Sequence, residues 1–195
     1  MDRHIRAVEL SKAYRLLNHG PTVLVSGRHD GVDDVMAAAW ACALDFAPPK
    51  LTVVLDKATR TRGLVESAGS FVIQVPTAAQ VQLTHDVGTR SLHDRPAKLA
   101  EAGVACFDID GFDLPFVEGC SAWLACRLVP EPHHQNLYDL FIGEVTGAWA
   151  DSRVFRDGHW HFETAPPAMR SLHYIAGGHF YAIGEPVIAK VPDPG

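Results

Sequence analysis

The chain has 195 residues, enough for one domain with a sizeable core, and its 47% hydrophobic and 21% charged residues are typical of globular proteins. A net charge of −6 argues against a general surface for nucleic acid or acidic lipid. Neither a secretory signal nor an apolar run long enough to span a bilayer is evident. We therefore expect a cytoplasmic protein that does not bind membranes and forms a single domain over residues 1–195.

The first part of the chain predicts short elements. Residues 11–17 predict an amphipathic helix capped by the first of them, and residues 22–26 predict a strand. Residues 27–31 contain two glycines and predict a turn. Residues 32–44 fit a buried helix or strand, and their alanines leave space for something flat to lie against the backbone. Residues 45–50 contain two prolines and predict a rigid extended connector.

A phosphate site is predicted where the next strand leads into a helix. Residues 51–55 are aliphatic and β-branched, and a helical pattern follows that ends at Gly69. The first amides of a helix lack intrahelical partners, and the helix dipole is positive there. Hydroxyl and cationic side chains are concentrated at this point, in a chain that is acidic overall, which favours an anion. They are Lys57, Thr59, Arg60, Thr61 and Arg62.

The alternative interpretation of this stretch needs no ligand. Thr59 or Thr61 would then only cap the helix, and Arg60 and Arg62 would face solvent. The local excess of positive charge is what favours the phosphate site over this alternative.

Strands dominate the rest of the prediction. They are expected over residues 70–75, 104–109, 119–129 and 136–150. Residues 130–135 predict the turn of a long hairpin, and residues 78–88 and 96–103 predict surface helices around a polar loop in which Arg90 is solvated. Few short helices and many strands joined by hairpins favour a mainly β fold, an antiparallel barrel with flanking helices packed outside it.

Histidines and known motifs give weaker signals. The histidines of residues 133–134 and 159–161 lack further ligands nearby, so no metal is predicted. His173 and His179 lie beside paired glycines; either could donate a proton or hydrogen bond to a redox cofactor, or bond to backbone in a half-buried position. No P-loop, G-x-G-x-x-G or G-x-S-x-G motif occurs, which argues against a nucleotide kinase, a Rossmann dehydrogenase or an α/β-hydrolase.

Segments along nearly the whole chain form an ordered series. They are PTVLVS (21–26), VMAAAW (35–40), DFAPPKLTVVLDKATRT (45–61), GSFVIQVP (69–76), DLFIGEV (139–145) and HYIAGGHFY (173–181). This series resembles the flavin reductase-like, FMN-binding split-barrel family, and within it the flavoredoxin-like branch. The resemblance implies a homodimeric antiparallel split β-barrel of the FMN-binding type, with FMN near the subunit interface. It also implies electron transfer to flavin from NADH, NADPH or another donor.

The resemblance also implies which residues hold FMN. Those at the isoalloxazine ring, the first four through their backbone, would be Met36, Ala37, Ala38, Ala39 and Trp40. Those around the ribityl phosphate would be Asp56, Lys57, Thr59 and Thr61, with Arg62 assisting. The family often has Asn where this chain has Asp34. An ionised carboxylate cannot donate a hydrogen bond, so a contact made by that amide is not carried over.

Several functions are compatible with this sequence. The first is an FMN-dependent oxidoreductase, either an NAD(P)H:flavin reductase or a flavoredoxin-like electron carrier. A non-catalytic protein that stores or delivers FMN is the main alternative. A relative of haem-handling or pyridoxamine-phosphate-oxidase-like proteins, and a structural dimer with an empty cleft, are further alternatives. No catalytic base is evident, and hydride transfer to flavin does not require one because the flavin carries the chemistry.

Overall fold

The computed structural model describes residues 4–189 of the chain, and strands predominate among them. The strands are β1 (Ile5–Ala7), β2 (Val23–His29), β3 (Val32–Ala38), β4 (Ala41–Phe46), β5 (Pro49–Val54), β6 (Ser70–Val75), β7 (Cys106–Ile109), β8 (Phe112–Val117), β9 (Ala122–Val129), β10 (Leu140–Asp151), β11 (Phe155–Arg156), β12 (His159–Trp160), β13 (Leu172–Ala176) and β14 (His179–Ala182). The α-helices are α1 (Arg60–Ala68), α2 (Val81–Thr89), α3 (Lys98–Glu101) and α4 (Pro132–Tyr138). Short 3-10 segments are Leu10–Leu16, Ala78–Gln80, Phe162–Thr164 and Pro167–Met169.

Eight strands form one antiparallel sheet. Its order is β3-β2-β6-β9-β10-β5-β4, and β1 pairs with the end of β10. The pairs β7-β8, β11-β12 and β13-β14 form separate two-stranded sheets. β2 and β3 are joined by a tight turn at Asp30 and Gly31, whose φ angles of 49° and 73° suit a two-residue hairpin. The predicted mainly β architecture with flanking helices is confirmed.

The central strands of the main sheet, β2, β6 and β9, are buried on both faces. In β2, Val23 and Val25 belong to one apolar cluster, and Leu24 between them belongs to a second. The second cluster also contains Val87 of α2 and Leu114 of β8, which cover the other face. Because neither face meets water, these strands are continuously apolar rather than alternating.

Close packing of α2 on β3 shapes the surface that carries the candidate site. A Cβ atom placed on Gly88 would lie 3.0 Å from the Cβ of Ala37, so a side chain there would crowd the strand. α1 packs against β2 and β3 as well. The first turn of α1 and the last turn of α2 therefore lie beside the same stretch of β3.

Two predictions that involved prolines are wrong. Only residues 47–48 connect two strands: residues 45–46 end β4, and Pro49 is the first residue of β5, a position that tolerates proline. Residues 130–135 are not a simple turn, because α4 begins at Pro132, and the first helical position suits proline.

Other boundaries also differ from the predictions. The first helix is a 3-10 segment preceded by Glu9 and not capped by Ser11. The turn predicted over residues 27–31 is limited to Asp30 and Gly31, because β2 continues to His29. Residues 32–44 form strands β3 and β4, which settles the choice between helix and strand. Strands β1 and β8 were not predicted.

Candidate functional site

Two adjoining cavities run along β3 and form one groove. The polar cavity, about 280 Å³, is lined by Asp34, Met36, Asp56, Ala58, Thr59, Arg60, Thr61, Val87, Gly88, Thr89, Arg90, Ser91 and Lys98. The alanine cavity, about 180 Å³, is lined by Thr22, Ala37, Ala38, Ala39, Thr84, His85, Gly88, Thr89, Tyr174 and Phe180. Gly88 and Thr89 belong to both, so the two cavities meet at the end of α2.

The start of α1 presents its amides to the polar cavity without a capping side chain. Thr59 is the residue before the helix, but its hydroxyl donates to the carbonyl oxygen of Asp56 at 2.8 Å and makes no cap hydrogen bond. One carboxylate oxygen of Asp56 accepts from the Ala58 amide at 2.7 Å. The alternative in which Thr59 only caps the helix is therefore wrong, and the first-turn amides remain available to an anion.

Two guanidinium groups line the polar cavity from opposite helices. Arg60 is half-buried, and no hydrogen-bond or ion-pair partner for it occurs among residues 4–189. Arg90, just after α2, approaches Asp86 at 3.2 Å and keeps its side chain 33% exposed. Arg90 therefore lines a cavity and is ion-paired, so the prediction that it is simply solvated is wrong.

Behind these arginines the cavity wall contains a buried ion pair. Lys98 Nζ lies 2.9 Å from one oxygen of Asp34, and the two side chains are 2% and 1% exposed. The hydroxyl of Thr61 donates to the other oxygen of Asp34 at 2.7 Å. The wall is thus assembled from β3, α1 and α3.

Two residues of the predicted phosphate set are directed away from the polar cavity. Lys57 Nζ donates to the carbonyl of Asn136 at 2.6 Å, and its side chain is 60% exposed. Arg62 is buried and donates to Asp139, to Glu66 at 3.0 Å, and to the carbonyls of Leu55 and Gln135.

The charge of Arg62 is held within the fold. Burial acts to lower the pKa of the Arg62 guanidinium, but its hydrogen bonds to Asp139 and Glu66 outweigh burial and raise the pKa. Phosphate contacts by Lys57 and Arg62 stay predictions. The structure brings Asp56, Thr59 and Thr61 of that set, together with Arg60, to the polar cavity.

The alanine cavity is enclosed by small residues on one side and aromatic residues on the other. Ala37, Ala38 and Ala39 form the strand side, and Met36 lines the polar cavity. Contacts of these four residues with a flavin ring stay predictions. Tyr174 and Phe180, in the β13-β14 hairpin, have ring centroids 5.1 Å apart. The Tyr174 amide donates to Thr22 Oγ1 at 2.7 Å, which fixes the hairpin beside the cavity.

Trp40 does not lie in either cavity. Its side chain is 75% exposed next to the edge strand β4, so Trp40 is not a core aromatic. Trp123, by contrast, is buried. A role for Trp40 at a flavin ring stays a prediction.

The histidines near the paired glycines lie outside the groove, whereas another histidine lines it. His173 Nδ1 is 3.0 Å from the carbonyl oxygen of Gly20, and His179 is exposed. His85 of α2 lines the alanine cavity, with Nε2 3.3 Å from where a Cβ on Gly178 would lie. Within the described part of the chain, no group of three or more His, Cys, Asp or Glu side chains could hold a metal ion.

A larger cleft, lined in part by Arg28 and Arg127, is less suited to an anion. It has a volume of about 1000 Å³ and contains none of the predicted site residues. Its Arg28 makes a two-fold hydrogen-bonded pair with Asp33 at 2.6 and 2.8 Å, and its Arg127 pairs with Glu144 at 3.0 Å. Both cations are therefore already matched with carboxylates.

Sequence reasoning missed the contribution to the groove of α2, the residues that follow it, α3 and the β13-β14 hairpin. The missed residues are Thr84, His85, Val87, Gly88, Thr89, Arg90, Ser91, Lys98, Tyr174 and Phe180. One signal was present in the sequence: Thr89-Arg90-Ser91 repeats the hydroxyl, guanidinium, hydroxyl order of Thr59-Arg60-Thr61. Both triplets line the polar cavity.

Comparisons with known proteins identify the family to which this chain is similar. Residues 14–184 match the model of the flavin reductase like domain. The Escherichia coli protein YddH is 40% identical over 185 residues, which is 93% of this chain and 96% of that protein.

Solved structures show the same fold. An FMN-binding domain of a flavin reductases-like enzyme from Shewanella baltica has a TM-score of 0.96 and 69% identity, over 97% of this chain and 100% of that one. The flavoredoxin of Desulfovibrio vulgaris has a TM-score of 0.72 and 27% identity, over 90% and 92%. The predicted antiparallel split-barrel fold is therefore confirmed. None of the helices among residues 4–189 is long and apolar enough to cross a bilayer.

Proposed function

The chain belongs to the flavin reductase-like, FMN-binding split-barrel family, and from that premise we propose that it is an oxidoreductase that binds FMN in the groove along β3. The phosphate of FMN would occupy the polar cavity, and the isoalloxazine ring would extend into the alanine cavity. The observation that carries this proposal is that a cavity lined by cationic and hydroxyl side chains and a cavity walled by alanines adjoin at Gly88 and Thr89.

The polar cavity has the donor chemistry that a phosphomonoester needs. Such a group carries about −1.5 to −2 charge at neutral pH and accepts several hydrogen bonds. The cationic groups of Arg60, Arg90 and Lys98, and the hydroxyls of Thr59 and Ser91, line one space of about 280 Å³. Arg60 supports the assignment most strongly, because it has no partner among the described residues and can use its donors for a ligand.

The alanine cavity has the small, apolar lining that a flat ring needs. Alanine side chains at 37, 38 and 39 let a ring approach the backbone of β3. Phe180 and Tyr174 supply apolar contact from the hairpin side. These residues would orient the ring and tune its surroundings. FMN, when bound, supplies the capacity to accept a hydride and to pass electrons on.

The electron donor in this proposal is NADH or NADPH. The final electron acceptor in this proposal is a free flavin, as in flavin reductases, or a partner protein, as in flavoredoxin-like carriers. Because both nicotinamide donors are metabolites of the cytoplasm, we propose that the protein acts in that compartment. Hydride transfer needs a reachable ring rather than a protein base, and the groove is open to solvent along the exposed side of Ala39.

We also propose that two copies of the chain form a homodimer through the edge strand β4. Leu44 and Phe46 project from this strand with exposures of 52% and 66%, and the adjacent Trp40 is 75% exposed. An unpaired strand edge with an apolar face is a common protein interface. Analytical ultracentrifugation should give a dimer for the wild-type chain, and Leu44→Glu together with Phe46→Glu should give a monomer.

An absorption spectrum of the purified protein tests the proposed function. We expect flavin absorption after reconstitution with FMN and removal of the excess, and anaerobic bleaching when NADH or NADPH is added. Bound flavin that neither donor reduces would favour the alternative, a non-catalytic FMN carrier. Failure to retain or titrate with FMN would contradict both.

A further inference from the structure

The ion pair of Asp34 and Lys98 is more deeply buried than any other pair at the groove. The charged atoms lie 2.9 Å apart, and the side chains are 1% and 2% exposed. An ammonium left in such a place without a counterion is strongly destabilising, because burial removes its hydration. The carboxylate of Asp34 therefore supplies the counterion that Lys98 needs before any ligand binds.

Asp34 is held in place by hydrogen bonds from several elements. Thr61, in the first turn of α1, donates its hydroxyl at 2.7 Å, and the Val35 amide of β3 donates at 2.9 Å. Lys98 approaches from the beginning of α3, 64 positions along the chain. Asp34 thereby connects a strand and two helices at the wall of the polar cavity.

Lys98 also has unused hydrogen-bonding capacity at this wall. An ammonium can donate three hydrogen bonds, and Asp34 is its only partner among residues 4–189. Both residues line the cavity that contains Arg60 and Arg90. A phosphate in that cavity would compete with Asp34 for the charge of Lys98.

On the basis of the proposed function, we infer that Asp34 is a positioning residue that acts as the internal counterion of Lys98 when no cofactor phosphate is present. The groove then keeps its structure when it is empty. FMN can leave without exposing an unmatched buried cation, so Asp34 makes the flavin exchangeable at the cost of weaker phosphate binding. Without the charge of Asp34, the stability of the site should therefore depend on a bound phosphate.

Asp34→Asn tests this inference because it keeps the shape of the side chain and removes its charge. We expect the cofactor-free variant to melt at a lower temperature than wild type. We expect FMN to bind about fivefold or more tightly and to dissociate more slowly, a coupling of ordinary size between two sites. Riboflavin, which lacks the phosphate, should bind with unchanged affinity.

A double variant tests whether Asp34 acts through its charge or only by holding the fold together. Asp34→Asn with Lys98→Met removes both charges, so the cofactor-free protein should regain stability relative to Asp34→Asn. Its preference for FMN over riboflavin should fall below that of wild type. If Asp34 only braced the fold, Asp34→Asn would weaken FMN and riboflavin binding alike, and that result would overturn the inference.

The outcome also separates this inference from the proposed function. Wild-type protein that does not bind FMN would contradict the proposed function itself. Wild-type protein that binds FMN, with unchanged or weaker FMN affinity in Asp34→Asn, would overturn only the role of Asp34. If Asp34→Asn does not fold in plain buffer, inorganic phosphate or FMN should restore its folding, and failure of both to do so would also overturn it.

Discussion

Arg60 and Arg62 lie two residues apart on α1, but their guanidinium groups have opposite surroundings. Arg60 lines the polar cavity and has no partner among residues 4–189. Arg62 is buried on the other side of the helix, where Glu66, Asp139 and two backbone carbonyls accept its donors. A guanidinium whose donors are satisfied by the protein stabilises the fold, whereas one with unused donors can bind an anion.

The same distinction separates the polar cavity from the larger cleft that contains Arg28. Arg28 in that cleft is bound by Asp33 and also lies 3.0 Å from Asp113. Cleft size is therefore a poor guide to an anion site in this molecule. Unmatched positive charge is the better guide, and it occurs where Arg60 lines a smaller space.

The largest expected effect comes from Arg62→Met. This change leaves Asp139 and two buried carbonyls without their donor, so the free energy of unfolding should fall by about 3 kcal/mol. Urea denaturation of the cofactor-free protein measures it. Arg127→Met is the matched control, because Arg127 is 61% exposed and its pairing should contribute less than about 1 kcal/mol.

Flavin titration of the folded Arg62→Met variant adds a second reading. Equal affinity to wild type would assign Arg62 to the fold alone. A loss of FMN affinity with riboflavin affinity retained would instead confirm the sequence-based prediction that Arg62 assists the phosphate. An unchanged unfolding midpoint would show that Arg62 does not stabilise the fold.

Arg60→Met should have the opposite pattern. Its stability should remain near that of wild type, because no described residue depends on its guanidinium. Its affinity for FMN should fall about tenfold or more, as expected for one lost hydrogen bond to a charged group, about 1.5–3 kcal/mol. Quenching of flavin fluorescence measures this loss, and riboflavin binding should not change. Equal losses for FMN and riboflavin would place Arg60 away from the phosphate.

A smaller effect is expected where α2 meets β3. In Gly88→Ala the new methyl group would lie 3.0 Å from the Cβ of Ala37, so the helix must shift and the groove must change shape. Affinity for FMN and riboflavin should fall together, by about 1 kcal/mol. Isothermal titration calorimetry with both ligands measures this change.

Gly63→Ala is the matched control for that variant. Gly63 is within α1, and nothing lies within 4 Å of a Cβ placed there. Flavin affinity should stay the same, and stability should rise by up to about 1 kcal/mol because alanine favours a helix. If Gly88→Ala leaves both affinities unchanged, the groove along α2 is not the flavin site.

Local patterns were enough to predict most strands and the start of α1. β2, β6 and β9 are apolar because these central strands are buried on both faces, and that signal is contained in the strand itself. The phosphate stretch was recognisable because a strand, polar residues and a helix follow one another. Pro49 and Pro132 misled the prediction because proline at the first position of a strand or helix resembles a loop signal.

The far side of the groove depends on packing between distant segments. Lys98 reaches Asp34 only because α3 folds back over β3, and Arg90 reaches the cavity only because Gly88 lets α2 approach Ala37. No periodicity within α2 or α3 encodes those distances. The side-chain direction of Lys57 was likewise beyond the sequence, because the carbonyl that it contacts is 79 positions away in α4.

Lys57→Ala has the smallest expected effect. It tests whether Lys57, which the sequence placed at the phosphate, contacts that group. Lys57 Nζ donates to the Asn136 carbonyl, lies 3.6 Å from Asp139, and does not line the polar cavity. From that placement we expect FMN affinity to change by less than about 0.5 kcal/mol, the size of an exposed charge pair. Calorimetric titration beside Arg60→Met decides the matter. A tenfold selective loss of FMN affinity would confirm the phosphate contact predicted from the sequence and would place the anion nearer α4 than Arg60 indicates.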